Sequence, residues 1–259
     1  MAYAAGPRGR LFYQTYGDPA RPALIFSNSL GTDHSMWQPQ INALQDDFYL
    51  IAYDSRGHGQ SEVPQGSYTL ADLGADVIDV LNAAAVERAH FCGISMGGLT
   101  GQWLGIHAPQ RFDKLIISNT AAKIGNTEAW QQRADSVRQQ GLADIAASAA
   151  SRWFTDGFTV ARPQTVADLS GKLAAQSPAG YAACCEALAA ADLRGEVSQI
   201  GVPTLIIGGR ADPVTTVADA EWLQTQIAGA QLTLLDASHI ANIEADAGFT
   251  QVLRRFLTA

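Results

Sequence analysis

The chain has 259 residues, 47% hydrophobic and 16% charged, which is long enough to bury a large core and too apolar for a disordered chain. It carries 17 basic and 25 acidic residues, a net charge of −8 that argues against nucleic acid or an anionic membrane as partner. Its 24 glycines have no period and its 10 prolines are scattered, which excludes collagen-like and coiled-coil chains, and no apolar run reaches the roughly 18–20 residues of a membrane helix.

In chain order, the opening MAYAAGPRGRLFYQTYG lacks the apolar segment of a secretory signal. Arg10–Tyr16 alternates and predicts an antiparallel strand of an edge hairpin. Short, continuously apolar runs follow at Ala23–Ser27, Tyr49–Asp54, Ala89–Ser95, Lys114–Asn119, Pro203–Gly208 and Gln231–Asp236. Such runs fit strands buried on both faces of a parallel sheet. Between them lie helical patterns. Leu70–Asn82 puts Leu70, Leu73, Val77 and Leu81 on one face, with Thr69 as N-cap. Met96–Ala108 follows a strand directly, and Ala247–Leu257 places Phe249, Val252 and Phe256 at core spacing. Strand–helix alternation predicts an α/β doubly wound fold, mostly parallel, with helices on both faces.

The rhythm breaks between Ala121 and Glu196, which are Ala-rich and helical throughout. Thr127 opens one helix that Gly141 ends, and Ser177-Pro178 opens another. The expectation is a helical cap over residues 121–196, inserted between two strands of a core made of residues 1–120 and 197–259. Cys92, Cys184 and Cys185 are odd in number and lack metal-ligand spacing. They read as reduced thiols of a cytoplasmic protein without a metal.

The chemistry concentrates after three of the strands. Gly93-Ile94-Ser95-Met96-Gly97 is G-x-S-x-G between a strand and a helix. There a serine on a strained turn projects its hydroxyl above the sheet, and the glycines spare that turn a collision. A serine hydroxyl is a weak nucleophile that needs a base, and the base needs an orienting carboxylate. Asp212 lies just past the Pro203–Gly208 run and His239 just past Gln231–Asp236. Ligand and catalytic groups of open α/β sheets collect at such carboxyl ends. His34 and His58 follow strands but precede the serine, His90 lies inside a strand, and His107 ends a helix. Glu244 is a rival acid placed in the last helical stretch. For the oxyanion hole, the N–H of Met96 and the N–H of Leu30 in Asn28-Ser29-Leu30-Gly31 are the expected donors.

Four stretches carry a resemblance over essentially the whole chain: LIFSNSLGTDHSMWQPQINAL (24–44), YDSRGHGQSEVPQGSYTLADLGADV (53–77), FCGISMGGLTGQWLGIHAPQRFDKLIISNTAAKIG (91–125) and DASHIANIEADAGF (236–249). The sequence resembles the 3-oxoadipate enol-lactonase family of capped α/β-hydrolases. N-S-L-G-T stands where H-G-x-x is common in that superfamily. The resemblance implies hydrolysis of an enol-lactone, a small carboxylated lactone, to 3-oxoadipate in the protocatechuate branch of aromatic degradation, without metal or organic cofactor. Serine at the elbow argues against haloalkane dehalogenase or epoxide hydrolase chemistry. Carboxylesterases and C–C bond hydrolases keep the same triad and stay open as alternatives, as do cofactor-free perhydrolases. A non-catalytic role would not require the triad.

A carboxylated substrate approaching a chain of net charge −8 needs a local cation. In the helix after Thr127, Trp130, Ala134 and Val137 share a face, and Arg133 sits at its edge beside Trp130. Arg133 is the first candidate, followed by Arg152 with Trp153 and then Lys123, and Ser29 is expected to bind substrate as well. Whether the chain forms a homo-oligomer is not written in the sequence.

Overall fold

The apolar runs become strands of one sheet in the computed structural model, which describes residues 2–6 and 9–259. These strands are β1 (Ala2–Gly6), β2 (Gly9–Tyr16), β3 (Ala23–Ser27), β4 (Tyr49–Tyr53), β5 (Ala89–Ile94), β6 (Phe112–Ser118), β7 (Thr204–Gly209) and β8 (Gln231–Leu235). Among the described residues the sheet runs β1-β2-β4-β3-β5-β6-β7-β8. β2 is antiparallel to both neighbours, and every pairing from β4 to β8 is parallel. β3, β5 and β7 are buried along their whole length, which is why their sequences do not alternate.

Arg10–Tyr16 is an antiparallel strand of an edge hairpin, as expected, with β1 as its outer partner. One expectation shifts at the margin. Gln231–Asp236 is not buried on both faces: β8 closes the other edge and is only half-buried.

The α-helices are α1 (Gln38–Leu44), α2 (Leu70–Ala83), α3 (Met96–His107), α4 (Thr127–Gln140), α5 (Ala143–Ala147), α6 (Ala149–Trp153), α7 (Asp156–Ala161), α8 (Pro163–Ala174), α9 (Pro178–Ala190), α10 (Val217–Gln226), α11 (Ala241–Glu244) and α12 (Asp246–Thr258). α2 packs on α3, while α1, α11 and α12 form a second group, so helices cover both faces of the sheet. Thr69 caps α2 in a reciprocal box with Asp72, an arrangement typically worth about 1 kcal/mol. The start of α4 differs from expectation. Asn126, not Thr127, is its N-cap and accepts from the Ala129 N–H at 2.8 Å, while the Thr127 hydroxyl donates to the Ala189 carbonyl. Gly141 ends α4 at φ 77°, a conformation that disfavours any side chain.

Helices α4 to α9 lie between β6 and β7, with α4 packed along α9. They are fastened to the sheet's carboxyl-end loops. Gln176 Oε1 accepts the Gly59 N–H at 2.7 Å, and Lys172 reaches Asp33 and the Ser35 hydroxyl. At Gly57 and Gly180 the backbones touch: a Cβ on Gly180 would lie 2.2 Å from the Gly57 carbonyl oxygen. The chain steps from β3 to β4 on one side and then to β5 on the other. Strand order reverses there, and in a doubly wound sheet that reversal opens the ligand crevice.

Candidate active site

Ser95 stands at that crevice, between the end of β5 and the start of α3, with φ 57° and ψ −115°. Few non-glycine residues adopt a positive φ, and the surroundings hold this one in place. Its N–H donates to the Ser118 carbonyl at 2.9 Å, and its carbonyl accepts the Thr120 hydroxyl at 2.9 Å. Gly97 is obligatory: a Cβ there would sit 2.3 Å from the Ser27 carbonyl oxygen, and its N–H donates to Asn28. The turn is thereby stitched to the loop after β3.

Asp212 follows β7 and His239 follows β8, and His239 Nδ1 lies 2.8 Å from Asp212 Oδ2. Asp212 also accepts from Val214 N, Thr215 N, the Thr215 hydroxyl and Asn119 Nδ2. Burial pushes its carboxyl up, but the bonds to His239, Asn119 and Thr215 outweigh this and hold it below the ordinary carboxylate value. An ionised Asp212 fixes the His239 proton on Nδ1 and leaves Nε2 as the basic nitrogen. Ser95 and His239 open onto one cavity.

The other histidines are engaged elsewhere. His34 pairs with Asp54, His58 accepts the Gly31 N–H, His90 sits within β5, and His107 faces Glu196. Glu244 does not approach His239 Nδ1. Its two oxygens accept the Ser238 N–H and both donors of Thr155.

The loop after β3 is a tight turn. Thr32 N–H donates to the Ser29 carbonyl at 3.2 Å, and Gly31 at φ 83° takes the glycine position of a type II turn. Gly31 N–H is spent on His58 Nε2 at 3.0 Å. Among the described residues, no acceptor takes the N–H of Leu30 or of Met96. Asn28 braces the turn, donating to the Tyr53 carbonyl and accepting from the Trp37 indole.

The cavity has a volume of about 210 Å³, and Ser29, Leu30, Trp130, Arg133, Arg152 and Trp153 all line it. Arg133 stacks over Trp130 at 4.8 Å from the ring centroid. Arg152 is half-buried, and burial, then the nearby Arg133, lowers its pKa. Among the described residues, neither arginine forms an ion pair. Lys123 is not a cavity residue and pairs with Asp192. The sequence reading missed Tyr181, which lines the cavity and has its phenol pushed up to about 12 by burial. It also missed Asn119, which takes a φ of 43° at the end of β6 to reach Asp212. An asparagine just past a strand end was the one available signal.

Residues 22–246 match the family model described as alpha/beta hydrolase fold. The chain belongs to the α/β-hydrolase family. Among α/β-hydrolases it is 54% identical to 3-oxoadipate enol-lactonase 2 of Acinetobacter baylyi, over 95% of this chain and 94% of that one. It is 48% identical to 3-oxoadipate enol-lactonase 1 of the same organism, over 95% and 92% respectively. The crystal structure of the enol-lactonase from Burkholderia xenovorans LB400 superposes with a TM-score of 0.98 at 42% identity, covering 100% of both chains.

Proposed function

We propose that this α/β-hydrolase opens the ring of 3-oxoadipate enol-lactone to give 3-oxoadipate, a step of the β-ketoadipate route of aromatic degradation. The observation that carries this is the 54% identity to a relative of that name along 95% of the chain. Ser95 is the nucleophile, His239 the base and Asp212 its orienting acid. His239 Nε2 takes the Ser95 proton as Oγ bonds to the lactone carbonyl carbon. The oxyanion is held by the N–H groups of Leu30 and Met96, each such donor being worth about 3 kcal/mol. The ring C–O bond then breaks. The leaving oxygen departs as an enolate that needs little help from an acid and takes up the proton held on His239 as it becomes the free enol or ketone, which returns His239 to its neutral form; the opened chain stays tethered as part of the acyl group. A water deprotonated by His239 frees Ser95 and releases the product.

Residues 121–196 act as a lid. Trp130 and Trp153 wall the ring, Ser29 faces them, and Arg133 with Arg152 grips the acetate carboxylate. Two cavity arginines without an acidic partner favour an anionic substrate over a neutral ester. The thiols of Cys92, Cys184 and Cys185 are free and buried, which suits the reducing cytoplasm. Among the described residues, no helix is long and apolar enough to cross a membrane.

The test compares kcat/KM for the enol-lactone with that for simple p-nitrophenyl esters, in the wild type and in Arg133→Met. The lactone should be strongly preferred. Arg133→Met should raise its KM about tenfold or more, the worth of a charged hydrogen bond, and hardly affect an uncharged lactone of the same ring. A large preference for the esters removes the lactonase assignment and leaves the triad intact.

A further inference from the structure

Glu244 ends α11, behind His239 and away from the cavity lining. Its Oε2 accepts the N–H of Ser238, the residue before His239, at 2.7 Å. Its Oε1 accepts the Thr155 N–H at 3.1 Å and the Thr155 hydroxyl. Thr155 is the N-cap of α7, two residues past Trp153. The Trp153 carbonyl in turn accepts the N–H of Ile240, the residue after His239, at 3.0 Å. The amides on either side of His239 are therefore both tied to one three-residue piece of the inserted helices, and that piece supplies a wall of the cavity.

Three donors meet on the two oxygens of Glu244. Only a group that accepts at both oxygens satisfies them; an amide would turn its own N–H toward one of the donors. This is a demand for a carboxylate as such. Glu244 is set apart from the acid of the triad by its partners, since His239 Nδ1 bonds Asp212 Oδ2 and no bond joins Glu244 to the His239 ring.

We propose that Glu244 is a positioning residue that holds the His239 loop and the Trp153 wall in a single frame, so that the base meets the lactone at a fixed distance from the surface the ring rests on. The proposal rests on His239 being the base. A displacement of about 1 Å at a reacting centre can cost about 100-fold in rate, so the frame acts on turnover more than on binding.

The test uses the full chain with Glu244→Gln, Thr155→Val and the double variant, and His239→Ala as control. Glu244→Gln should lower kcat for the lactone about tenfold or more, with KM within threefold and an unchanged far-UV circular dichroism spectrum. Thr155→Val should cost less. The double variant should be no worse than Glu244→Gln alone, because both changes cut one network. A kcat within twofold of wild type in Glu244→Gln, a loss confined to KM, or simple additivity would each overturn the proposal. If Glu244→Gln does not fold, hydrogen exchange at the Ser238 amide decides. It should quicken in Thr155→Val, whose change is at a residue the amide does not touch, and an unchanged rate defeats the proposal. Should His239→Ala stay active, the base assignment fails instead, whatever Glu244 does.

Discussion

Asp212 receives five donors on two oxygens, and its surroundings decide which substitutions are tolerated there. Asp212→Asn keeps the volume but sets an N–H against donors and favours the wrong imidazole tautomer. It should cost orders of magnitude in kcat, yet less than His239→Ala. Ser95→Ala should lose about 10⁴–10⁶ in kcat while still binding ligand. Steady-state and single-turnover rates of the three variants test this order, and a near-wild-type Asp212→Asn would move the acid elsewhere. His58 gives a second prediction. Burial lowers its pKa below the ordinary value, against the opposing pull of Asp54 and Asp33, and its neutral Nε2 accepts from Gly31. The unfolded chain therefore takes up the proton first. The stability tied to neutral His58 is complete above the unfolded pKa of about 6.5 and is lost as the pH falls below it. Urea midpoints at pH 7 and pH 5 should differ less in His58→Gln than in wild type. A residual difference remains because burial depresses His90 as well. Equal differences in both proteins would detach His58 from the acid limb.

The turn after β3 concentrates several demands on one element. Gly31 needs φ 83°, and a Cβ there would lie 2.5 Å from Leu173 Cδ1 on α8. Gly31→Ala should lower kcat more than it raises KM. It should also cost about 1–2 kcal/mol of stability for the left-handed backbone alone. Thermal unfolding with paired kinetics checks both, and an unchanged kcat would mean the turn does not hold the oxyanion donor. The elements legible in the sequence are those with a strong local pattern. β3, β5 and β7 are uniformly apolar because both faces are covered, and α2 shows its Thr69 box outright. β1 escaped because Ala2–Gly6 has almost no pattern and gains its strand only by pairing with β2. α1 is two turns long with proline near its start, too short for a periodicity. Ser95, Asp212 and His239 were readable because each directly follows a strand. Asn119 also follows a strand, but nothing local shows that it reaches Asp212, 93 residues away, and the bond of Glu244 to Thr155, 89 residues away, has no local spacing either.

Over the whole molecule, a net charge of −8 repels an anionic substrate at long range, while the two cavity arginines attract it at short range. Raising ionic strength from about 10 mM to 150 mM shortens the screening length from about 30 Å to about 8 Å, which removes the first effect before the second. The kcat/KM for the carboxylated lactone should rise modestly, about twofold, and that for an uncharged lactone should stay level. A fall for the charged substrate would mean that the arginines already govern its approach. The backbone contact between Gly57 and Gly180 has a consequence for heredity. Each position forbids a side chain at the other, so neither can drift alone, and a helical insert transplanted from a distant hydrolase would be rejected at this seam unless it brought its own glycine. Diversification by shuffling is thus channelled away from this seam and toward exposed cavity-lining positions such as Ala129.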